Sequence, residues 1–231
     1  MIADDEMGEA PGSTVRRLSE LPGDPAPMLA TGLAPWDYVV GGGFVQPSSI
    51  LLLGGRGIGK STYALSLACE LARVAGRPAL YGSAEMPAQH MRAYAARLGL
   101  SPAATDRIWI QESHEAADLL ADIERTRPVA VVWDSIQRYQ WHGAIGELEL
   151  REVVRRAIAI GQRLGVVSLL LSQVTKDGAF LGPSGIAHDC DVVLRLAKML
   201  DGALVIFCDD KNRFAPTPRS AVVRPAPETS A

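Results

Sequence analysis

The chain has 231 residues, 48% hydrophobic and 21% charged, with a formal net charge of −3; these values fit one large globular domain and exclude a strongly basic nucleic-acid binder, though not a local basic patch. No run approaches the roughly 20 uncharged apolar residues that cross a bilayer, and the acidic residues 1–7 are followed by no apolar run of the kind a secretory signal needs. Three cysteines without paired spacing (Cys69, Cys190, Cys208) suit neither a disulfide framework nor a four-cysteine zinc site, so a reducing cytoplasm and no membrane partner are expected.

Residues 1–30 hold Asp4, Asp5, Glu6, Glu9, Glu20 and Asp24 against Arg16 and Arg17, a net of −4 that leaves +1 on the other 201 residues. Pro11, Gly12, Pro22, Gly23, Pro25 and Pro27 punctuate this stretch and apolar periodicity is absent. A flexible arm is expected, with a short docking segment at 15–21. Beyond it, strand and helix signals alternate. Runs at 49–53, 79–83 and 107–111 read as strands. Ala64, Leu67, Ala68, Leu71 and Ala75 recur at helical spacing over 61–75, and Gly76-Arg77-Pro78 stops that helix. Helices are expected over 87–98, 116–126 and 147–164, and buried strands over 129–133 and 166–171. The last strands, 192–196, 203–208 and 221–224, have no helical signal between them. This order predicts an α/β fold: a mostly parallel central sheet flanked by helices, with antiparallel strands at the C-terminal edge. The domain should span 31–224, with 225–231 a disordered tail.

Gly54-Gly55-Arg56-Gly57-Ile58-Gly59-Lys60-Ser61 fits the phosphate-loop pattern G-x-x-x-x-G-K-[ST] in full, between an apolar strand and an amphipathic helix. The glycines let backbone N–H groups turn toward a phosphate chain, and the helix that runs on through Thr62 adds its positive end. Lys60 has the charge and reach for β- and γ-phosphates, and the Ser61 hydroxyl is a candidate Mg²⁺ ligand. A second metal ligand is expected where a buried strand ends. Val129-Ala-Val-Val-Trp-Asp134-Ser135 offers Asp134, a position that also suits a helix N-cap. Glu85 follows another strand, and strand ends converge on the ligand crevice of an open parallel sheet. It is the candidate for orienting an attacking water; its alternative is a solvated acid ahead of the helix opened by Pro87.

These three sites, in this order, resemble the RecA-like ATPases. Thr31-Gly-Leu-Ala-Pro-Trp-Asp37 followed by Gly41-Gly-Gly-Phe44, Leu171-Ser-Gln-Val-Thr-Lys-Asp-Gly178 and Lys211-Asn-Arg-Phe-Ala-Pro-Thr217 narrow the resemblance to the RadA (Sms) family of bacterial DNA-repair ATPases, over about 31–223. The resemblance implies hexameric rings that bind single-stranded DNA, hydrolyse ATP with Mg²⁺ and help branch migration in recombination. By position it implies that Lys60, Ser61 and Asp134 hold nucleotide and metal and that Glu85 is the catalytic glutamate. Gln173 would sense the γ-phosphate, and Lys211 and Arg213 would reach a neighbouring subunit's nucleotide. The chain departs from the family in showing neither its four-cysteine zinc module nor its protease-like domain. It also has Ala215 where glycine is usual and Gln173 where many members have histidine.

Two loops would face the centre of such a ring: 135–146, with Arg138, Tyr139, Trp141 and His142, and 175–188, with Lys176 and Phe180. Cationic and aromatic residues on loops suit backbone contact and base stacking. Arg138 and Lys176 are therefore the DNA-binding candidates; the alternatives are an ion pair for Arg138 and plain packing for Trp141. Few cations predict weak, salt-sensitive binding. The cysteines read as core residues, and no zinc site is read at His142 and His188. The expected function is an ATP-hydrolysing RecA/RadA-like protein that assembles with itself and acts on single-stranded DNA. The alternative is a regulatory or scaffolding ATPase of the same fold that switches partner association without moving DNA.

Overall fold

The structure, a computed structural model, describes residues 17–20, 26–175, 182–183 and 185–223. Most of the expected arm, the tail at 225–231, and the loop residues Lys176 and Phe180 lie outside them; of the expected docking segment at 15–21 only residues 17–20 are described, with a 3-10 turn at Leu18–Glu20.

The elements follow in chain order. Strand β1 (Met28–Leu29), helix α1 (Ala34–Val40) and strand β2 (Phe44–Val45) lead into β3 (Ser48–Gly54) and α2 (Lys60–Ala75). Next come β4 (Ala79–Ser83), α3 (Ala88–Arg97), α4 (Pro102–Thr105), β5 (Ile108–Gln111), α5 (Ala116–Thr126) and β6 (Ala130–Asp134). A 3-10 turn (Ile136–Arg138), α6 (Glu147–Leu164), β7 (Val167–Gln173), α7 (Gly185–Asp189), β8 (Val192–Lys198), β9 (Leu204–Cys208) and β10 (Arg219–Val223) complete the chain. The main sheet has the order β10-β9-β8-β3-β7-β6-β4-β5. Strands β8, β3, β7, β6, β4 and β5 are parallel, and β9 and β10 add antiparallel at one edge. This is the RecA-like α/β arrangement expected from the alternating pattern. The pair β1–β2 forms a separate small antiparallel sheet, which draws the last residues of the expected arm onto the body.

Every residue of β3, β4 and β6 is buried, as in strands covered on both faces. Side-chain alternation divides the core. Ile50, Leu52, Ala130, Val132, Leu169 and Leu171 pack on the side of α2, while Leu51, Leu53, Val131, Trp133 and Leu170 pack on the side of α5 and α6. Helix α2 stops at Gly76 (φ 65°) and α6 at Gly165 (φ 66°), left-handed positions that glycine enters without a Cβ clash. The chain around α1 is clamped by one carboxylate: Asp37 accepts hydrogen bonds from Thr31 N (3.0 Å), Thr31 Oγ1 (2.8 Å) and Gly32 N (2.8 Å).

Candidate nucleotide-binding site

Strands β3, β7, β6 and β4 end side by side. Gly54 pairs with Gln173 across β3–β7, and Ser83 pairs with Asp134 across β4–β6. The chain leaves β3 through a loop that turns at Gly57 (φ 71°) and Gly59 (φ 99°), conformations a side chain would strain, and enters α2 at Lys60. Gly54 could not carry a Cβ without pressing to 3.0 Å on both Ile58 Cγ2 and the Leu196 carbonyl. Lys60 Nζ donates to the carbonyls of Gly54 (2.8 Å) and Gly55 (2.9 Å), which holds the ammonium over the loop. The result is a cleft of about 270 Å³ lined by, among others, Arg56, Lys60, Ser61, Glu85, Asp134 and Gln173. Grooves of about 470 and 550 Å³ elsewhere bring together mainly apolar side chains and no phosphate loop.

Asp134 is buried at the end of β6. Burial raises its carboxyl above the ordinary range, opposed by hydrogen bonds from Tyr81 and Ser61. Tyr81 Oη donates to Asp134 Oδ2 at 2.5 Å. Burial lowers the Lys60 ammonium, opposed by the charges of Asp134 and Glu85. Ser135 Oγ donates to Glu85 Oε1 at 2.6 Å, and Arg138 Nε stands 3.6 Å from the same oxygen. Thr62 Oγ1 meets the Tyr94 hydroxyl. Among the described residues, no group of three or more His, Cys, Asp or Glu side chains could hold a metal ion. Ser61 and Asp134 nonetheless offer adjacent hard oxygens, a donor set that fits a Mg²⁺ ion completed by phosphate oxygens and water rather than a protein cage.

The fold thus brings together Gly57, Gly59, Lys60, Ser61, Thr62, Glu85, Asp134 and Gln173, which are spread over more than a hundred residues of chain. It does not bring Lys211 and Arg213 to this cleft. Arg213 Nη1 pairs with Asp191 Oδ1 at 2.8 Å, and Lys211 Nζ donates to the His188 carbonyl. Asp191 Oδ2 in turn accepts from Ser49 N (2.9 Å) and Ser49 Oγ (2.7 Å) at the start of β3. That is five residues, about 17 Å at ~3.3 Å each, from the loop at the other end of the strand. Arg138 takes up the ion pair that was its alternative reading, on Glu85. Tyr81, Tyr94 and Ser135 were missed by sequence reasoning. Only Ser135, adjacent to Asp134, carries a positional signal; Tyr81 lies inside a strand and Tyr94 inside a helix, with no local motif around either.

Fold and loop together define a RecA-like P-loop nucleotide-binding protein. A family model described as "AAA domain" matches residues 14–179, and the chain belongs to that family. The chain is 36% identical over 188 residues to "DNA repair protein RadA" of Mycobacterium tuberculosis H37Rv, covering 80% of this chain and 39% of that protein. It is 32% identical over 211 residues to "DNA repair protein RadA" of Escherichia coli K12, covering 90% and 45%. The resemblance to RadA read from the motifs is borne out; the chain spans less than half the length of these relatives. Among solved structures, it matches the RadB recombinase (TM-score 0.66, 22% identity, 84% of this chain and 94% of that one). It also matches a KaiC-like protein from Pyrococcus horikoshii OT3 (TM-score 0.66, 21% identity, 86% and 93%). At these identities the two structures speak for the fold.

Proposed function

We propose that the chain is the Mg²⁺-dependent ATPase core of a RadA-like protein that acts on single-stranded DNA in recombination or repair, as a self-assembled ring or filament in the cytoplasm. The observation that carries the ATPase reading is the convergence of Lys60, Ser61, Asp134, Glu85 and Gln173 on one cleft at the ends of parallel strands. In this reading the N–H groups of residues 54–61 and the start of α2 receive the phosphates, with Lys60 as counter-charge. Ser61 and Asp134 hold the Mg²⁺, which when bound shares the charge of the β- and γ-phosphate oxygens. Glu85 accepts a hydrogen bond from the attacking water, and Gln173 reads the γ-phosphate.

Lys211 and Arg213 lie a strand's length from their own phosphate loop, which supports action on a neighbour's nucleotide over action on their own. The name of the curated relatives, DNA repair protein RadA, supports the repair assignment. Arg138 and Lys176 are the proposed contacts to the DNA backbone. The rival, a regulatory ATPase that moves no DNA, draws its support from Arg138, whose guanidinium is turned to Glu85. ATP turnover measured with and without single-stranded DNA separates the two. Stimulation that weakens with salt is expected; turnover indifferent to DNA, with no DNA binding, would favour the rival.

A further inference from the structure

We infer that Tyr81 is a positioning residue of the metal site: its buried hydroxyl holds Oδ2 of Asp134 and so sets the carboxylate's orientation toward Mg²⁺. The inference rests on the Mg²⁺·ATP reading above.

Tyr81 is the middle residue of β4 and is fully buried, on the side of the sheet covered by α2. Its backbone pairs with Val132, two residues before Asp134 in the parallel strand β6. The ring leans along the strands over those two residues, a rise of about 7 Å, and its hydroxyl reaches Asp134 Oδ2 at 2.5 Å. A phenylalanine here would fill the same core space and stop short of the carboxylate. The contact is not a requirement of burying a phenol in this protein, because the Tyr139 hydroxyl is also buried and has no hydrogen-bond partner among the described residues.

Asp134 has two hydroxyl partners, Tyr81 and Ser61. If Ser61 turns its oxygen to the metal, Tyr81 is the donor that stays on the carboxylate. A neutral donor suits this place. It fixes one oxygen and leaves the full negative charge for the cation, which a lysine or arginine would offset. Hydrogen-bond partners of metal ligands act in this way generally, and their loss typically costs 10–100-fold in metal affinity.

The test compares Tyr81→Phe with the parent by titrating a fluorescent ATP analogue, once with EDTA and once across a range of Mg²⁺ concentrations. The expected result is unchanged affinity in EDTA and a Mg²⁺ requirement raised about 10-fold or more. In an Asp134→Asn background the same change should add nothing further. A Mg²⁺ response equal to the parent's overturns the inference, as does an equal loss with and without Mg²⁺, which marks a purely structural role. A parent indifferent to Mg²⁺ overturns the metal reading beneath it as well. Should the Phe variant not melt cooperatively, 3-fluorotyrosine placed at residue 81 keeps the shape and the donor. Its ¹⁹F resonance should move when Mg²⁺ is added to the nucleotide-bound protein, and a resonance that ignores Mg²⁺ overturns the proposal.

Discussion

Lys60 is half-buried in the cleft, and its partners among the described residues are loop carbonyls rather than a carboxylate. Its charge is therefore not tied up in an ion pair and is available to an anion. Lys60→Ala should abolish hydrolysis and weaken ATP binding, since the main counter-charge to the β- and γ-phosphates goes; turnover and nucleotide affinity of the purified variant check it. Glu85 poses the opposite experiment. Gln keeps the side chain's size and can still accept the hydrogen bond from Ser135 Oγ, but it cannot act as a carboxylate toward water. Glu85→Gln should bind ATP like the parent and turn it over about 10²-fold more slowly or worse. Turnover near the parent's would return Glu85 to the role of a solvated acid held by Ser135 and Arg138.

At the scale of elements, two motifs that mark the family resemblance prove to be packed against each other. Asn212 Nδ2 donates to the Val40 carbonyl at the end of α1 (3.0 Å), and Asn212 Oδ1 accepts from the backbone N–H of Phe214 (2.8 Å) and Ala215 (3.1 Å). Gly41 must lack a side chain here: its φ is 111°, and a Cβ would lie 2.5 Å from Cβ of Ala215. The residues 211–215 are thus a clasp between the loop after β9 and the end of α1, whatever else their cations do. Asn212→Ala removes all three hydrogen bonds and leaves a half-buried carbonyl and two N–H groups to find water. A loss of about 1–3 kcal/mol is expected, read as a lower urea midpoint with unchanged slope. The same geometry bears on Arg213, whose removal would leave the buried Asp191 carboxylate with Ser49 alone. Any effect of Arg213→Ala on turnover therefore needs a melting curve beside it.

The whole molecule carries its proposed active-site parts at opposite ends of the same strands, phosphate loop at one end and Lys211 with Arg213 at the other. One copy cannot close that distance without unfolding, so a role for these cations in hydrolysis requires a second copy. Turnover per subunit should then rise with protein concentration. Mixing Lys60→Ala with Arg213→Ala should recover activity that neither has alone, because some interfaces pair an intact loop with an intact arginine; a cation supplied in trans is worth about 10³–10⁵ in rate in well-studied cases. A co-assembled mixture that recovers nothing would leave Arg213 as the partner of Asp191 only.

The phosphate loop was legible in the sequence because its chemistry is contiguous: glycine spacing, lysine and serine follow one apolar strand directly, and no distant residue is needed to recognise them. Helices 116–126 and 147–164 were legible to the residue, since the spacing of apolar residues along a helix is a local signal. Asp134 and Glu85 could be nominated because strand ends converge in such sheets. Strand order and partners could not be read. The pair β1–β2 is two residues long on each side, too short for any periodicity to show, and α1 was visible only as part of a motif. The bonds that decide orientation join residues far apart in the chain: Tyr81 to Asp134 over 53 positions, Ser135 to Glu85 over 50, Arg213 to Asp191 over 22. Local sequence determines which residue types stand at the end of each strand. Only the crossovers that lay β4 beside β6 and carry residues 209–213 back to the start of β8 decide which side chains meet, because a hydrogen bond depends on positions within a few tenths of an ångström and those are set by packing.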